Sequence, residues 1–514
     1  MARALRARLV SAALLRRPGS PPKPTSPGGG TSAGRPVRLG LAANWPQFAL
    51  LVLVNAFVGG MVGLERTTTS LVGTRVFHLS GYLAVFSFIV AFGVTKAATN
   101  LAAGPLTSRH TRKTLLVAGW VAGVPVPFLL AWAPAWWWIV AANVLLGVNQ
   151  GLAWSMTVNM KIDLVGPRGR GLAMGFNEAA GYMAVGGTAL ATGYLAAAYG
   201  LRPVPELIGV VYVGAGLALS VLAVRDTAAH VAAEAARHGG GEAAARRPFG
   251  TVFAEVSWRN LSLRGASQAG LVNNLNDGLT WGVFPLLFAS RGLGLAAIGL
   301  IKGLYPLLWG AGQLVTGRMS DTIGRKPLIV TGMIVQAAAF PAALMLPGRP
   351  LAAGVVSAVL LGAGTAMVYP ALIASVADHT HPAWRAQGLG VYRFWRDLGY
   401  AVGAVIAGLL AEAFGFSTTV LAGGALTLGS GLLAARWITG SRPGPGAPTA
   451  GARDDAGRAE GGARSLWRRR EGARSRQRPR GGARSPEIIQ PCHRRPWPPR
   501  PWAKWTRSPA AWPR

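Results

Sequence analysis

From Trp45 to Thr439 the chain alternates between long apolar blocks and short polar stretches. Each block is close to the ~20 residues that a helix needs to cross a bilayer. Twelve are read, at 46–64, 81–103, 115–133, 137–159, 171–198 and 205–223, then at 267–289, 295–316, 328–346, 351–374, 388–413 and 416–437. They lack the polar face that a helix of a soluble bundle needs. Gly and Ala within them allow close helix approach in lipid. Pro125, Pro285, Pro306 and Pro370 are tolerated there because neighbouring groups re-satisfy the freed carbonyls. The pattern predicts an all-α membrane protein with twelve transmembrane helices.

The longest internal connection, about 224–266, divides the blocks six and six, and the two sets repeat one another. Gly104–Lys113 follows span 2, and Gly317–Lys326 follows span 8, 213 residues later. Asp163, Pro167 and Arg170 after span 4 recur as Asp378, Pro382 and Arg385 after span 10. Gly181-Tyr182 in span 5 returns as Gly399-Tyr400 in span 11, and Asn55 and Gly60 in span 1 return as Asn273 and Gly278 in span 7. Repeated matches in one order argue for a duplicated six-helix unit. The expected organisation is a basic leader over 1–42, a six-helix bundle over 43–223, a central loop over 224–266, a second bundle over 267–440 and a tail over 441–514.

Charge changes the picture less than its total suggests. Of 514 residues, 52 are Lys or Arg and 18 are Asp or Glu, for a net charge of +34. Such a balance invites a nucleic-acid reading, but the ends carry most of it, +8 over residues 1–42 and +13 over 441–514. The leader is Arg-rich and free of acids, as a transit peptide is. Its prolines and Gly28-Gly29-Gly30 fit a disordered segment better. The tail is rich in Arg, Pro and Trp and repeats Gly-Ala-Arg-Ser from Gly462, Gly472 and Gly482, a composition that builds no core. No nucleic-acid partner is therefore expected. With the N-terminus inside, the inner loops hold 16 Lys/Arg and the outer loops five, which places both termini in the cytoplasm. A single cysteine, Cys492, excludes a disulfide framework. No phosphate-binding loop, metal-ligand cluster or nucleophile–base pair appears. No cofactor, no enzymatic activity and no ATP-driven work are expected.

The loop after span 8 reads G-x-x-x-D-x-x-G-R-K through Gly317, Asp321, Gly324, Arg325 and Lys326. With twelve spans and the 6+6 split, the chain resembles a major facilitator superfamily (MFS) transporter over about 43–440. The first copy is degraded: Gly104, Arg112 and Lys113 match, but Ser108 and Thr111 stand where Asp and Gly belong. The resemblance implies two pseudo-symmetric bundles around a cavity lined by helices 1, 4, 7 and 10. It also implies that Asp321 meets the positive N-terminal end of helix 5 while Arg325 pairs with Asp378, and that Asp163 is a first-half counterpart. These gating residues would hold the cytoplasmic side closed. Drug/proton antiporters of the family usually carry G-P-x-x-G-G in helix 5, and Gly181–Gly187 lacks its Pro. Antiport is thus less supported than transport. A non-transporting receptor on the same fold is the alternative.

Ionisable residues inside spans are costly and usually functional. Asp277 lies near the middle of span 7, and Asn273, Asn276 and Thr280 share its helix face. Asn55, Asn143, Asn149 and Gln150 would join it if spans 1 and 4 line the cavity. A second set lies on the order of 10–12 Å above the inner interface by helical rise: Lys96, Glu178 and Arg396, with Arg393 and Asp397 beside them as an i, i+4 pair. Glu65 and Arg66 are read at the wet outer end of span 1, and Lys302 as snorkelling outward. The expectation is a monomeric, multi-pass protein of a bacterial plasma membrane that moves a small drug-like compound or organic anion by alternating access. The coupling proton would be carried by Asp277 or Glu178.

Overall fold

The structure, a computed structural model, describes residues 38–107, 109–166, 170–237, 247–346, 348–381 and 384–439. The calls on the tail, on the leader up to residue 37, on Ser108 and on the Asp321 side chain lie outside the described residues. All regular structure among them is helical.

Six helices form the first half: α1 Leu41–Arg75, α2 Tyr82–Leu106, α3 Arg112–Trp132, α4 Trp136–Val165, α5 Arg170–Tyr199 and α6 Val204–Leu222. Six form the second: α7 Leu261–Ser290, α8 Leu295–Ile323, α9 Arg325–Ala342, α10 Pro350–Asp378, α11 (385–414) and α12 (416–437). Gly415, at φ 77°, ends α11 and lets α12 turn away in a conformation that suits a residue without Cβ. Gly324, at φ 105°, does the same between α8 and α9.

Eight stretches are long and apolar enough to cross a membrane, the last of them holding both α11 and α12. The remaining three helices carry polar residues at interior positions: Asn177 and Glu178 in α5, four consecutive-turn polar residues around Asp277 in α7, and Gln336 in α9. Large apolar side chains such as Val211, Leu222, Val315 and Leu432 stay exposed, the lipid-facing surface that a spanning helix needs.

The halves meet through small residues. A Cβ on Gly186 of α5 would lie 2.6 Å from the Gly303 carbonyl of α8, and one on Gly193 the same distance from Gly299 Cα. Within each half the duplicated glycines serve the same purpose. A Cβ on Gly59 would stand 2.1 Å from the Gly181 carbonyl, between α1 and α5, and one on Gly399 2.2 Å from the Leu271 carbonyl, between α11 and α7. Such contacts bring backbones together where lipid supplies no hydrophobic drive.

Two expectations change. Span 1 does not stop at 64. After a slight break at Leu64 the helix continues as Glu65–Arg75, whose polar residues are covered by other helices rather than by lipid. The seventh helix begins at Leu261, so the last residues of the expected central loop belong to that helix. The described remainder of that loop contains the short helices Ala228–Arg237 and Phe249–Ala254.

Candidate functional site

Two buried polar layers cross the boundary between the halves. One, called outer because it lies farther from the end of the bundle where the described chain enters and leaves, joins α1 to α7. Arg66 donates through both terminal nitrogens to Asp277, with Nη2 2.9 Å from Oδ2. Its guanidinium lies 4.2 Å from the Trp281 ring centroid, and Trp281 Nε1 donates to the Glu65 carbonyl at 3.0 Å. Planar two-point pairing and stacking on an aromatic face suit arginine specifically. Arg66 and Asp277 are 3 % and 0 % exposed, so Arg66 is a buried partner and not a wet helix end. Lys302 is also buried, donating to the Thr280 carbonyl at 2.9 Å rather than snorkelling.

The inner layer is a cleft lined by Lys96, Gln150, Trp154, Glu178, Arg393 and Arg396, among others. Its enclosed space, about 10 Å³, admits about one water molecule. Glu178 of α5 accepts from Trp154 Nε1 at 2.9 Å, from Asn177 at 3.1 Å and from Tyr369 of α10 at 2.8 Å. Tyr369 in turn accepts from Arg396. Asp397 accepts from Arg396 at 2.6 Å and 2.9 Å and from Asn100 of α2. Its ion-pair partner is thus the adjacent Arg396 and not Arg393, although both arginines line the cleft.

Lys96, like Arg393, forms no ion pair here among the described residues. It is 5 % exposed, and its ammonium stands 5.3 Å from the ring centroids of Phe92 and Tyr400 and 5.6 Å from that of Trp154. Among the described residues it has no carboxylate within 4.0 Å. Trp154 and Gln150 reach the cleft from a five-residue π turn, Gln150–Trp154, that widens α4 at this depth. Such wide turns often mark functional positions.

The asparagines do not gather around Asp277. Asn276 donates to Gln336 at 2.9 Å and accepts from Thr427, tying α7 to α9 and α12. Asn273 accepts from Gln336 at 2.9 Å. In the first half Asn55 donates to the Asn177 carbonyl at 2.7 Å, and Asn149 to the Gly119 carbonyl at 2.9 Å. All four staple helices within one half. Gln150 does likewise, donating to the Val58 carbonyl at 2.7 Å.

At the end of the bundle where the chain enters and leaves, the duplicated loops make matching ion pairs. Arg112 Nε lies 2.8 Å from Asp163 Oδ2, and Arg325 Nε lies 3.2 Å from Asp378 Oδ2. The first-half pair is elaborated: Thr227 donates to Asp163 at 2.6 Å, and the Lys113 backbone N–H donates to Asp226 at 3.0 Å. Gly104 and Gly317 have open space where a Cβ would be. Lys326 follows Arg325 in the first turn of α9.

Sequence reasoning missed Arg66. A signal existed: span 7 was read to 289, and 273 less 55 is a repeat offset of 218, which carries span 1 to about residue 71 and puts Arg66 inside it.

Comparison with known proteins supports the architecture. A sequence model of the Major Facilitator Superfamily matches residues 86–269 and 266–512. An uncharacterized MFS-type transporter of Salmonella typhimurium is 26 % identical over 71 % of this chain and 90 % of its own length. The multidrug resistance protein MdtH of Aeromonas hydrophila is 32 % identical over 26 % of this chain and 34 % of its own. An uncharacterized MFS-type transporter of Bacillus subtilis, YddS, is matched over 33 % of its length, so the chain spans about a third of several such relatives. Among solved structures, the inward-open conformation of the xylose transporter XylE from Escherichia coli superposes with a TM-score of 0.61 at 13 % identity, over 77 % of this chain and 97 % of that one. With the helical architecture and the family match over most of its length, the chain is a multi-pass integral membrane protein that belongs to the Major Facilitator Superfamily.

Proposed function

We propose that the protein is a proton-coupled secondary transporter of a small organic anion, working by alternating access between its two six-helix halves. The observation that carries this reading is Lys96. A buried ammonium with aromatic neighbours and no carboxylate partner is a costly arrangement that a ligand carboxylate would complete. Arg393 faces the same cleft, while Glu178 and Asp397 are already engaged by hydrogen bonds. The cleft lies on the boundary between the halves, where transporters bind substrate.

The outer layer supplies the gate in this reading. Arg66 and Asp277 belong to different halves, so opening the outer side separates them. A proton and the guanidinium then compete for one carboxylate, which links protonation to the conformational change. Glu178, tied to Tyr369 across the halves, is the second candidate carrier. At the opposite end, Arg112–Asp163 and Arg325–Asp378 would brace the loops, with Asp321 completing the lock in the second half. The excess of Lys and Arg in the loops at that end supports a cytoplasmic location for it.

A drug-like substrate is the second reading, favoured by the likeness to a multidrug resistance protein and by Trp154 and Tyr369 at the cleft. Reconstituted vesicles test both. An imposed pH gradient should drive accumulation of aromatic carboxylates, with neutral or cationic drugs competing weakly. Preferential movement of lipophilic cations would favour the second reading. Ligand binding without flux would favour a receptor and overturn both.

A further inference from the structure

Glu65 and Asn143 show a pattern of met and unmet hydrogen bonds that an additional proton would complete. Glu65 of α1 and Asn143 of α4 are 1 % and 0 % exposed. Asn143 Nδ2 donates to Glu65 Oε2 at 2.8 Å and to the Ile139 carbonyl at 3.0 Å. These two acceptors fix the amide: reversing it would set its oxygen against both. Yet the other atom of each group, Glu65 Oε1 and Asn143 Oδ1, is buried without a donor among the described residues. Two orphaned acceptors on two planar groups that already share one N–H···O bond have a simple resolution. A proton on Glu65 Oε1 turns it into a donor to Asn143 Oδ1 and closes a two-point ring between a carboxylic acid and an amide. Leaving both acceptors unmet would cost the desolvation of each.

The charges around the pair agree. Arg66, the neighbour on α1, spends its guanidinium on Asp277. Glu206, at the start of α6, is also buried, lies within electrostatic reach of Glu65, and keeps one oxygen unpartnered while Thr68 donates to the other. Arg202 stands near Glu206. A second ionised carboxylate facing Glu206 would add like-charge repulsion.

We propose that Glu65 is a proton-binding site: with the outer pair closed it holds one proton in a two-point bond with Asn143. This rests on the proton-coupled reading above and adds a carrier to it, one residue from the arginine that latches the halves. Separation of Arg66 from Asp277 frees a cation beside Glu65, and the proton then leaves for water as Arg66 becomes the counter-ion of the carboxylate.

Infrared difference spectroscopy of the full chain in lipid vesicles tests the proposal directly. The wild type should show a protonated-carboxyl stretching band at neutral pH that is absent from Glu65→Gln, retained in Glu206→Gln and weakened in Asp277→Asn, where Arg66 loses its carboxylate partner. Asn143→Ala should shift the band and the pH at which it disappears. Gln at 65 can form the same two-point ring with Asn143, so the variant is expected to fold. It should keep downhill flux and lose pH-driven accumulation. A wild type without the band, or a Glu65→Gln protein that keeps it unchanged, overturns the proposal. A wild type that shows the band but accumulates nothing under a pH gradient refutes proton coupling while leaving the proton on Glu65 established.

Discussion

The outer and inner polar layers both join the same two halves, yet they are built on opposite terms. The outer layer is an ion pair closed on itself: both Asp277 oxygens accept from the terminal nitrogens of Arg66, whose Nε alone lacks a partner among the described residues, and Trp281 caps the guanidinium. The inner layer has a surplus. Arg396 is matched by Asp397 and Glu178 by three donors, but Lys96 and Arg393 face a cleft with room for about one water molecule. A self-satisfied pair suits a latch, since its energy changes only when the halves move. An unsatisfied cation suits a binding site, since a ligand supplies what is missing.

The largest effect should come from unbalancing the latch. Arg66→Met leaves Asp277 buried without its cation, a change that typically costs about 3–5 kcal/mol. The variant should unfold at clearly lower temperature in detergent and expose outer cysteines introduced near Trp281. Removing both charges, as in Arg66→Met with Asp277→Leu, should restore most of the stability, because buried pairs replaced by apolar residues are often neutral. It should not restore gradient-driven accumulation. A single variant as stable as wild type would dissolve the distinction between the layers.

Next comes the inner cation. Lys96→Gln removes the charge without leaving a buried opposite charge behind, so stability should hold or rise. A lost charge-assisted bond to substrate is worth about 1.5–3 kcal/mol, or roughly 10–150-fold in apparent affinity. Saturation of anion uptake at rising substrate concentration measures it. Unchanged affinity together with lowered stability would make Lys96 a structural residue.

Tyr369→Phe sharpens the contrast from inside the cleft. Its hydroxyl donates to Glu178 across the halves and accepts from Arg396. Losing it deprives two charged groups of one partner each, about 1–3 kcal/mol, and should loosen the inner layer without touching the latch. Cysteine labelling on the terminus-side face should rise while labelling on the outer face stays unchanged.

What could be read from the chain divides along the same line. The duplicated loops were legible because topology and loop chemistry are local: Gly317, Arg325 and Asp378 lie in short motifs with a fixed offset from their first-half copies. The cleft was partly legible, since Lys96, Glu178 and Arg396 share a depth that helical rise alone provides. The partners were not. Asn273 and Asn276 look like cavity residues on a helical wheel, but Gln336, 63 and 60 residues away, claims both for helix–helix contacts, and Thr427, 151 residues from Asn276, claims it as well. Arg66 was misplaced because an apolar run measures exposure to lipid, and Glu65–Arg75 is shielded by protein instead.

The two loop clasps offer a smaller test of whether the halves are equivalent. The carboxylates differ in exposure, the Asp163 side chain being 8 % exposed against 30 % for Asp378, although Arg112 is more exposed than Arg325. Asp378→Asn should therefore cost within the ~0–1 kcal/mol usual for exposed pairs, and Asp163→Asn more, because Thr227 also depends on it. Proteolysis of the adjoining loops would register the order, and equal losses would mean that the clasps are interchangeable.

The smallest effect belongs to Asp226, which exists only on the first-half side of this comparison. It lies outside the spans and accepts from the backbone N–H groups of Lys113, at 3.0 Å, and Ala228, at 2.8 Å. Burial opposes its charge, but those donors and the nearby Arg112 outweigh burial and hold the carboxyl below its ordinary value. A carboxyl lowered by folding contributes stability that is fully present above the free value of about 3.9 and is lost as pH falls through the lower folded value. The loop helix Ala228–Arg237 should thus stay docked at neutral pH and loosen only in strong acid. Amide hydrogen exchange at Lys113 and Ala228, compared at each pH with Asp226→Asn, isolates the contribution. Wild type should be better protected at neutral pH, and the difference should vanish as both proteins become neutral at that position. Equal protection at neutral pH would show that Thr227 and Asp163 dock this helix without help from Asp226.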